Sequence, residues 1–173
     1  MARPSSRERI LDTLEELLIK HGSGGATLDA IAEQAGISKG GLLYHFPSKA
    51  DLLTGFSNRL LDRVDRSIAD APRDPVAVIR WFLSVELSDP SEAVVSRSLT
   101  AALHGSDEGL DTVIKEVARR YSRPLEVLDP FLAEHVRLIG DGIYLNALVG
   151  APAVSNDHLE RLIAELSERA SAF

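Results

Sequence analysis

The sequence predicts an all-α protein of about nine helices. Apolar residues recur at spacings of three and four along most of the 173 residues, and no segment shows sustained alternation of apolar and polar residues. Residues that cap or end helices, namely Ser, Thr, Asp, Gly and Pro, separate the apolar stretches. With 45% hydrophobic residues and no cysteine, the chain is expected to bury its core without disulfide bonds.

The first two helices are predicted from their boundaries. Ser5 and Glu8 have the spacing of a capping box, in which the serine side chain accepts a hydrogen bond from the backbone of the glutamate. Gly22 is expected to end this helix. Thr27 is a typical cap for the second helix, and Gly36 supplies the left-handed residue that ends it.

The next two helices follow without a long loop. Ser38 is the predicted cap of a third helix, which runs over residues 39–46. Pro47 ends this helix because the residue before a proline is disfavoured in the helical conformation. Ser48 and Asp51 repeat the capping pattern and begin a fourth helix.

Beyond residue 70, Asp-Pro pairs mark the predicted helix starts. They stand at Asp74, Asp89 and Asp129, and each joins a capping side chain to a proline suited to the first helical turn. A further helix is expected before Asp129, where Pro124 must kink or interrupt it. Ser155 begins the last helix.

Composition and charge restrict the function classes. The formal net charge is −7, but residues 1–54 hold 6 Lys+Arg and 7 Asp+Glu, so most of the acidity lies beyond them. A nearly neutral N-terminal part can bind DNA when its cations share one face. No apolar run approaches the roughly 20 residues of a membrane span, and the N-terminus is charged where a signal peptide needs an apolar core. We therefore expect a soluble, cytoplasmic protein with no membrane partner.

An enzyme is the rival class, and the sequence gives it little support. There is no His-Glu-x-x-His metal motif, no Gly-x4-Gly-Lys phosphate loop and no Gly-x-Gly-x-x-Gly fingerprint. His104, Asp107 and Asp111 are interpreted as capping or solvated residues rather than metal ligands. We expect no metal and no cofactor.

Two short helices joined by a tight turn, after a longer helix, are typical of a helix-turn-helix. The third helix would then enter the major groove of double-stranded DNA. Lys39 is a cation at its start, Gly40 and Gly41 allow close backbone approach, and Tyr44 and His45 combine hydrogen-bonding groups with flat rings. The alternative is structural: Lys39 is merely solvated and Tyr44 belongs to the core.

Lys49 and the segment around it extend this pattern. Lys49 lies in the first turn of the fourth helix, where backbone amides already favour an anion such as a DNA phosphate. Residues 27–53, TLDAIAEQAGISKGGLLYHFPSKADLL, strongly resemble the DNA-binding domain of TetR-type transcriptional regulators. The resemblance covers about residues 7–55, and Gly41 and Leu43 depart from the family pattern of a small hydroxyl residue and an aromatic residue.

The resemblance implies specific roles for matching residues. Phosphate, groove or base contacts carry over to Thr27, Ser38, Lys39, Gly40, Tyr44, His45 and Lys49. It also implies a DNA-binding domain over residues 1–50 and an effector-binding and dimerisation domain over residues 51–173, linked through the fourth helix. The expected function is that of a homodimeric repressor which a small-molecule effector releases from a palindromic operator. The alternatives are a ligand-dependent activator, or an interaction protein whose helix-turn-helix no longer reads DNA.

A dimer interface is expected on the last two long helices. Residues 138–149 are apolar on more than one helical face, and such a helix needs cover on every side. A deep core helix would explain the same pattern. The candidate interface residues are Ile139, Ile143, Leu148, Leu159, Leu162, Ile163 and Leu166.

An effector pocket is expected among aromatic and apolar residues with a few polar groups. The candidates are Trp81, Phe82, Leu99, Leu103, His104, Val117, Tyr121 and Tyr144, for each of which a plain core position is the alternative. Arg80 and Arg97 are expected to pair with nearby carboxylates rather than with an anionic ligand. The sequence does not name the effector.

Overall fold

A computed structural model of the chain describes residues 5–84, 90–105, 108–148 and 151–171. These residues form nine α-helices and one 3-10 helix, and they contain no strand, so the all-α prediction is confirmed. No helix in these ranges is long and apolar enough to cross a membrane. The helices are α1 Ser6–Gly25, α2 Leu28–Gln34, α3 Lys39–His45, α4 Lys49–Ser67, α5 Pro75–Leu83, α6 Pro90–His104, α7 Glu108–Tyr121, the 3-10 helix Arg123–Val127, α8 Pro130–Leu148 and α9 Asn156–Ala170.

The predicted caps form most of the helix starts. Ser5 Oγ accepts a hydrogen bond from Glu8 N at 3.2 Å, and Ser48 Oγ accepts one from Asp51 N at 3.1 Å. Asp74 Oδ1 accepts from the backbone of α5 at 2.8 Å. Asp129 and Ser155 make the corresponding bonds at α8 and α9. The predicted cap Asp89 lies outside the described residues.

Two glycines and a proline interrupt the helices where the sequence indicated. Gly22 has φ +62°, a left-handed conformation that interrupts the regular geometry of α1, but α1 extends to Gly25, so Gly22 does not end the helix as predicted. Gly36 has φ +65° and follows Ala35, the C-terminal cap of α2, as the sequence predicted for the end of this helix. Pro124 falls in the 3-10 helix that follows α7, so the predicted interruption is confirmed.

The chain divides into two compact units. The first comprises Met1–Val64 and Val94–Ala118, and the second comprises Asp65–Ala93 and Arg119–Phe173. The first boundary therefore falls within α4, in the region where the sequence predicts a linking helix. Parts of α6 and α7 belong to the same unit as α1, α2 and α3.

The first unit has an apolar core built from several helices. The amphipathic face of α1 contributes Ile10, Leu11, Leu14 and Leu18, and all four side chains are buried. Burying these side chains is the main source of stability for such a helix. Other fully buried residues of this unit include Ile31, Leu42, Leu52, Phe56, Leu60 and Leu110.

An ionic cluster surrounds the buried carboxylate of Glu15 in the first unit, and we call it the Glu15 cluster: Glu15, Arg59, Arg63, Arg97 and Ser98. The two oxygens of Glu15 accept from Arg59 Nη2 at 2.9 Å, Arg63 Nη1 at 2.8 Å, Arg97 Nε at 3.1 Å and Ser98 Oγ at 3.1 Å. Glu15 is 3% exposed. The cluster joins α1 to α4 and α6, and it confirms that Arg97 pairs with a carboxylate.

The core of the second unit lies around α5. This helix packs against α8, α9 and the 3-10 helix. Gly140 of α8 permits a close approach of α5, because a Cβ atom there would lie 2.3 Å from Cε1 of Phe82 on α5. The buried residues of this core are Val78, Ile79, Phe82, Leu83, Leu125, Leu128, Leu132, Val136, Ile163 and Leu166.

A surface ion pair joins two helices of the second unit. Arg80 on α5 donates to both carboxylate oxygens of Glu160 on α9, at 2.6 and 2.9 Å. The hydrogen bond from Arg80 holds the pKa of Glu160 below its usual value. Because this folded-state pKa is depressed, the stabilisation by the pair is present at neutral pH and is lost as the pH falls through that pKa. Arg80 therefore pairs with a carboxylate, as predicted, although its partner is 80 residues away in the sequence.

Candidate DNA-binding surface

The turn between α2 and α3 is held by backbone hydrogen bonds. Gly36 N donates to Glu33 O at 3.1 Å, and Ile37 N donates to Ala32 O at 3.0 Å. Ser38 Oγ then accepts from Gly41 N at 3.0 Å and caps α3. Two short helices are thereby held around a tight turn, which is the geometry of a helix-turn-helix.

The inner side of α3 is anchored in the core. Leu42 is fully buried and Phe46, just after the helix, is 3% exposed. The guanidinium of Arg7 on α1 lies 5.1 Å from the centre of the Phe46 ring, in position for a cation–π contact. Leu43, one of the departures from the family pattern, is half-buried. The packing of Leu42 and Phe46 determines which side chains of α3 face outward.

The outer side of α3 carries the aromatic pair that the sequence indicated. Tyr44 is 85% exposed, so it is not a core residue. The ring of His45 meets that of Tyr44 edge-on, with centroids 5.3 Å apart. An exposed phenol of this kind is available for a hydrogen bond to DNA.

The start of α3 carries an ion pair that sequence reasoning missed. Lys39 Nζ lies 2.9 Å from Oδ1 and 3.1 Å from Oδ2 of Asp29 on α2. Both side chains are exposed. In the sequence, the acidic residue ten positions before Lys39 is the visible signal of this pair.

The remaining predicted contact residues lie around this surface. Thr27 is exposed, and its Oγ1 caps α2 by accepting from Ala30 N at 3.2 Å. Lys49 Nζ donates to the Ser23 carbonyl at 3.3 Å. Gly40 is exposed, and a Cβ atom there would meet nothing within 4 Å.

The spacing of Gly36, Ser38 and Gly40 also matches the Gly-x-Ser-x-Gly pattern of hydrolase nucleophiles. That motif requires a serine on a turn between a strand and a helix. Here Ser38 stands between two helices and its Oγ caps α3, so the match has no catalytic meaning. Among the described residues, no three His, Asp or Glu side chains come together as a metal site, and Asp107 lies outside those residues.

Comparison with known families decides the identity. Residues 10–55 match the family described as bacterial regulatory proteins, tetR family. Residues 76–171 match the tetracyclin repressor-like C-terminal domain. The chain belongs to the tetR family.

Curated relatives agree with this assignment. The HTH-type transcriptional repressor KstR of Rhodococcus jostii is 27% identical over 177 residues, which cover 99% of this chain and 77% of that protein. The HTH-type transcriptional regulator EthR of Mycolicibacterium smegmatis is 32% identical over 115 residues, which cover 62% of this chain and 53% of that protein. This tetR-family chain is a DNA-binding transcriptional regulator rather than an enzyme.

Solved structures show the same fold. The multidrug binding protein EbrR, in a crystal structure with malachite green, has a TM-score of 0.70 at 24% identity and covers 94% of this chain and 98% of that one. A TetR-family member from Streptomyces coelicolor A3, SCO1917, has a TM-score of 0.67 at 23% identity over 94% of this chain and 98% of that one. The all-helical architecture is therefore that of the tetR family.

The predicted effector residues of this tetR-family chain fall in both units. Leu99, Leu103, His104 and Val117 belong to the first unit. There Val117 is buried, Leu103 is 51% exposed, and His104 Nδ1 lies 2.8 Å from Thr100 O. These placements leave the effector role of the four residues a prediction.

The other four effector candidates belong to the second unit, where three of them form an aromatic cluster. Trp81 stacks on Tyr121 with ring centroids 6.3 Å apart, and Phe82 lies 5.8 Å from Tyr121. Trp81 and Tyr121 are half-buried, whereas Phe82 is 4% exposed and belongs to the core. Tyr144 on α8 is also half-buried.

Most of the predicted interface residues pack within their own unit. Ile163 and Leu166 are buried in its core. Ile139, Ile143, Leu159 and Leu162 are partly buried against the same core. Leu148 ends α8, and its side chain lies outside the described residues.

A different face of α8 is exposed and apolar, and we call it the α8 stripe. It consists of Phe131, Leu138 and Leu145, which are 71%, 56% and 56% exposed. A spacing of seven residues places them on one side of the helix. The ring of His135 lies 4.2 Å from that of Phe131, close to the same line. The sequence identified α8 as apolar all round but did not indicate which face remains exposed.

Proposed function

We propose that this regulator is a homodimeric repressor that acts in the cytoplasm, binds a palindromic operator and is released by a small-molecule effector. The observation that carries the proposal is α3, whose inner residues are buried while Lys39 and Tyr44 are exposed. The repressor role is supported by the relative KstR, which is named as a transcriptional repressor.

The proposed DNA contacts follow from the exposed groups. Lys39, Tyr44 and His45 would approach base edges and phosphates in the major groove, where a recognition helix enters with its N-terminal residues. Lys49 lies at the start of a 19-residue helix, whose dipole and amides favour a phosphate. Thr27 and Ser38 supply exposed hydroxyl groups, and the exposed Gly40 leaves the backbone accessible, with the partly exposed Gly41 beside it.

The proposed dimer is supported by the α8 stripe. Three large apolar side chains on one helix face suit burial against a second copy, since a twofold interface pairs the same surface with itself. Two recognition helices related by a twofold axis would reach major grooves about 34–36 Å apart, as a palindromic operator requires. The proposed interface would thus lie on Phe131, Leu138 and Leu145. Two of the interface residues predicted from the sequence, Ile139 and Ile143, lie on the same helix.

The proposed effector site lies at the aromatic cluster. The half-buried rings of Trp81 and Tyr121 would pack on an aromatic molecule, whose positive charge, if it has one, the ring faces would also attract, and Tyr144 would add a hydroxyl group. The neighbour EbrR was crystallised with the aromatic cations malachite green and ethidium, which makes such dyes suitable first probes. An effector would release DNA by favouring a conformation whose recognition helices no longer match the operator. Trp81 is the only tryptophan in the sequence, so its fluorescence reports binding at the cluster.

Selection from a duplex DNA library with a randomised core tests the function. We expect the full-length protein to enrich a palindrome at near-physiological salt. Enrichment of a single half-site would contradict the dimer, and no enrichment would favour an interaction protein that no longer reads DNA. A reporter placed behind the enriched sequence distinguishes repressor from activator.

Lys49→Ala is expected to weaken binding to all DNA sequences alike. Removing one phosphate contact per subunit should lower the slope of log K against log salt by about 1 per subunit. The measurement is a salt titration of operator binding. Lys115→Ala, which removes the same charge from α7, is the control and should leave the slope unchanged. Equal slopes for the wild-type protein and Lys49→Ala would remove Lys49 from the phosphate contacts.

A further inference from the structure

We propose that Asp29 is a specificity-determining residue, which acts by holding Lys39 toward a guanine base edge rather than toward the DNA backbone. The inference rests on the proposed entry of α3 into the major groove. Asp29 lies on α2 and contacts the recognition helix through its ion pair with Lys39.

The geometry of the pair makes it a link between the two helices of the motif. Asp29 lies in the first turn of α2 and Lys39 is the first residue of α3. Lys39 Nζ is within 3.1 Å of both oxygens of Asp29. The pair therefore favours one position of the ammonium group relative to both helices, although a lysine side chain is otherwise flexible.

Stability does not explain this pair. The side chains of Lys39 and Asp29 are 54% and 74% exposed, and ion pairs between exposed side chains contribute little to folding. The buried side chains of Leu42 and Phe46 anchor α3 in the core without this ion pair. The carboxylate of Asp29 lies beside the start of the recognition helix. We therefore infer that it acts on DNA recognition rather than on stability.

The charges favour a base edge over a phosphate. Residues 28–48 contain one lysine, Lys39, and no arginine, so no other Lys or Arg charge in this segment offsets the carboxylate of Asp29. A carboxylate repels phosphates, which lowers the attraction of the pair for the backbone. The ammonium group has three N–H donors, and those not engaged by Asp29 can still reach an acceptor.

Guanine is the base that suits this donor. It presents two acceptors, O6 and N7, in the major groove, and Lys and Arg are its usual partners. A lysine that is fixed in place discriminates guanine from other bases, whereas a free lysine readily moves to a neighbouring phosphate. Asp29 thus lowers the affinity for DNA of any sequence and strengthens the preference for guanine.

The test is selection from the randomised duplex library with four full-length proteins: wild type, Asp29→Asn, Lys39→Gln and the double variant. We expect the wild type to select guanine at one position of each half-site. Asp29→Asn should reduce that preference by up to about fivefold, the factor that an exposed ion pair can supply. Its affinity for unselected DNA should rise, and its salt slope should steepen by up to about 1 per subunit, because Lys39 becomes free to contact phosphates.

The double variant shows whether Asp29 acts through Lys39. With Lys39→Gln already present, Asp29→Asn should leave the base preference unchanged. Asp29→Glu retains the charge and should restore part of the guanine preference. Glu33→Gln removes the same charge from the exposed side of α2 and should leave the preference at its wild-type value. Thermal unfolding of each variant verifies that the fold is retained.

Two results would overturn the proposal in distinguishable ways. If Asp29→Asn changes affinity equally for all sequences and keeps the wild-type base preference, Asp29 has no role in specificity, although the regulator still binds its operator. If the wild-type protein enriches no sequence, the proposed function fails, and the role of Asp29 fails with it.

Discussion

Replacing Glu15 by alanine is expected to lower the free energy of unfolding by about 3 kcal/mol. Glu15 is buried and accepts hydrogen bonds from Arg59, Arg63, Arg97 and Ser98. Removing one partner of a buried pair leaves an uncompensated charge in the interior, which costs more than the pair itself contributes. Urea unfolding followed by circular dichroism measures the change.

Arg59 determines how large this loss is. It is 8% exposed, and without Glu15 it keeps Asp12 at 2.7 Å and Glu8 at 3.4 Å. These two carboxylates are roughly half exposed, so they compensate the guanidinium only in part. For this reason we expect a loss at the lower end of the range known for broken buried pairs.

The neighbouring Glu16 provides a matched control. Its side chain is 40% exposed and contacts Arg97 Nη2 at 3.3 Å and Gln34 Nε2 at 2.9 Å. Glu16→Ala removes the same charge from the same helix and should cost less than about 1 kcal/mol. Equal losses for Glu15→Ala and Glu16→Ala would show that burial of the cluster contributes nothing.

Leu138→Glu is expected to convert the proposed dimer to monomers. Leu138 lies in the middle of the α8 stripe, and a twofold axis would bring two new carboxylates into one apolar interface. Burying such charges without partners costs several kcal/mol, and about 3 kcal/mol corresponds to a rise of more than a hundredfold in the dimer dissociation constant. Analytical ultracentrifugation measures this constant. Operator binding should weaken in parallel, because a monomer presents one recognition helix.

The control substitution is Val76→Glu. Val76 is 39% exposed on α5, in the same unit, and lies outside the α8 stripe. It should leave the dimer intact, and circular dichroism checks that both variants are folded. Ile143 and Leu162 are less suitable sites, because they pack against the core of their own unit and a charge there would also destabilise the fold. A dimer that survives both Leu138→Glu and Leu145→Glu would contradict the interface.

Local chemistry explains why the helices could be predicted. Ser5, Ser38 and Asp74 cap backbone amides three residues away, and Gly36 adopts a left-handed conformation that other residues disfavour. Such interactions depend on neighbours in the chain. The helix-turn-helix follows from the same local signals, and its sequence is specific enough to indicate the family.

The Glu15 cluster illustrates what those signals leave open. Leu11, Glu15 and Leu18 lie on one face of α1, so a charge on the buried stripe was a visible sign of an internal ion pair. Its partners are 44 to 83 residues away. No pattern within a single helix identifies them.

By itself the sequence determined the helical class, the order and starts of most helices and the recognition segment, because caps, turns and periodicity act over a few residues. The tertiary structure decided which faces are buried. It placed Ile163 and Leu166 in the core while leaving Leu138 and Leu145 exposed, and it brought Asp29 to Lys39. The physical reason is that burial and charge pairing depend on which distant segments meet in space. A helix that is apolar on several faces does not by itself favour one of them.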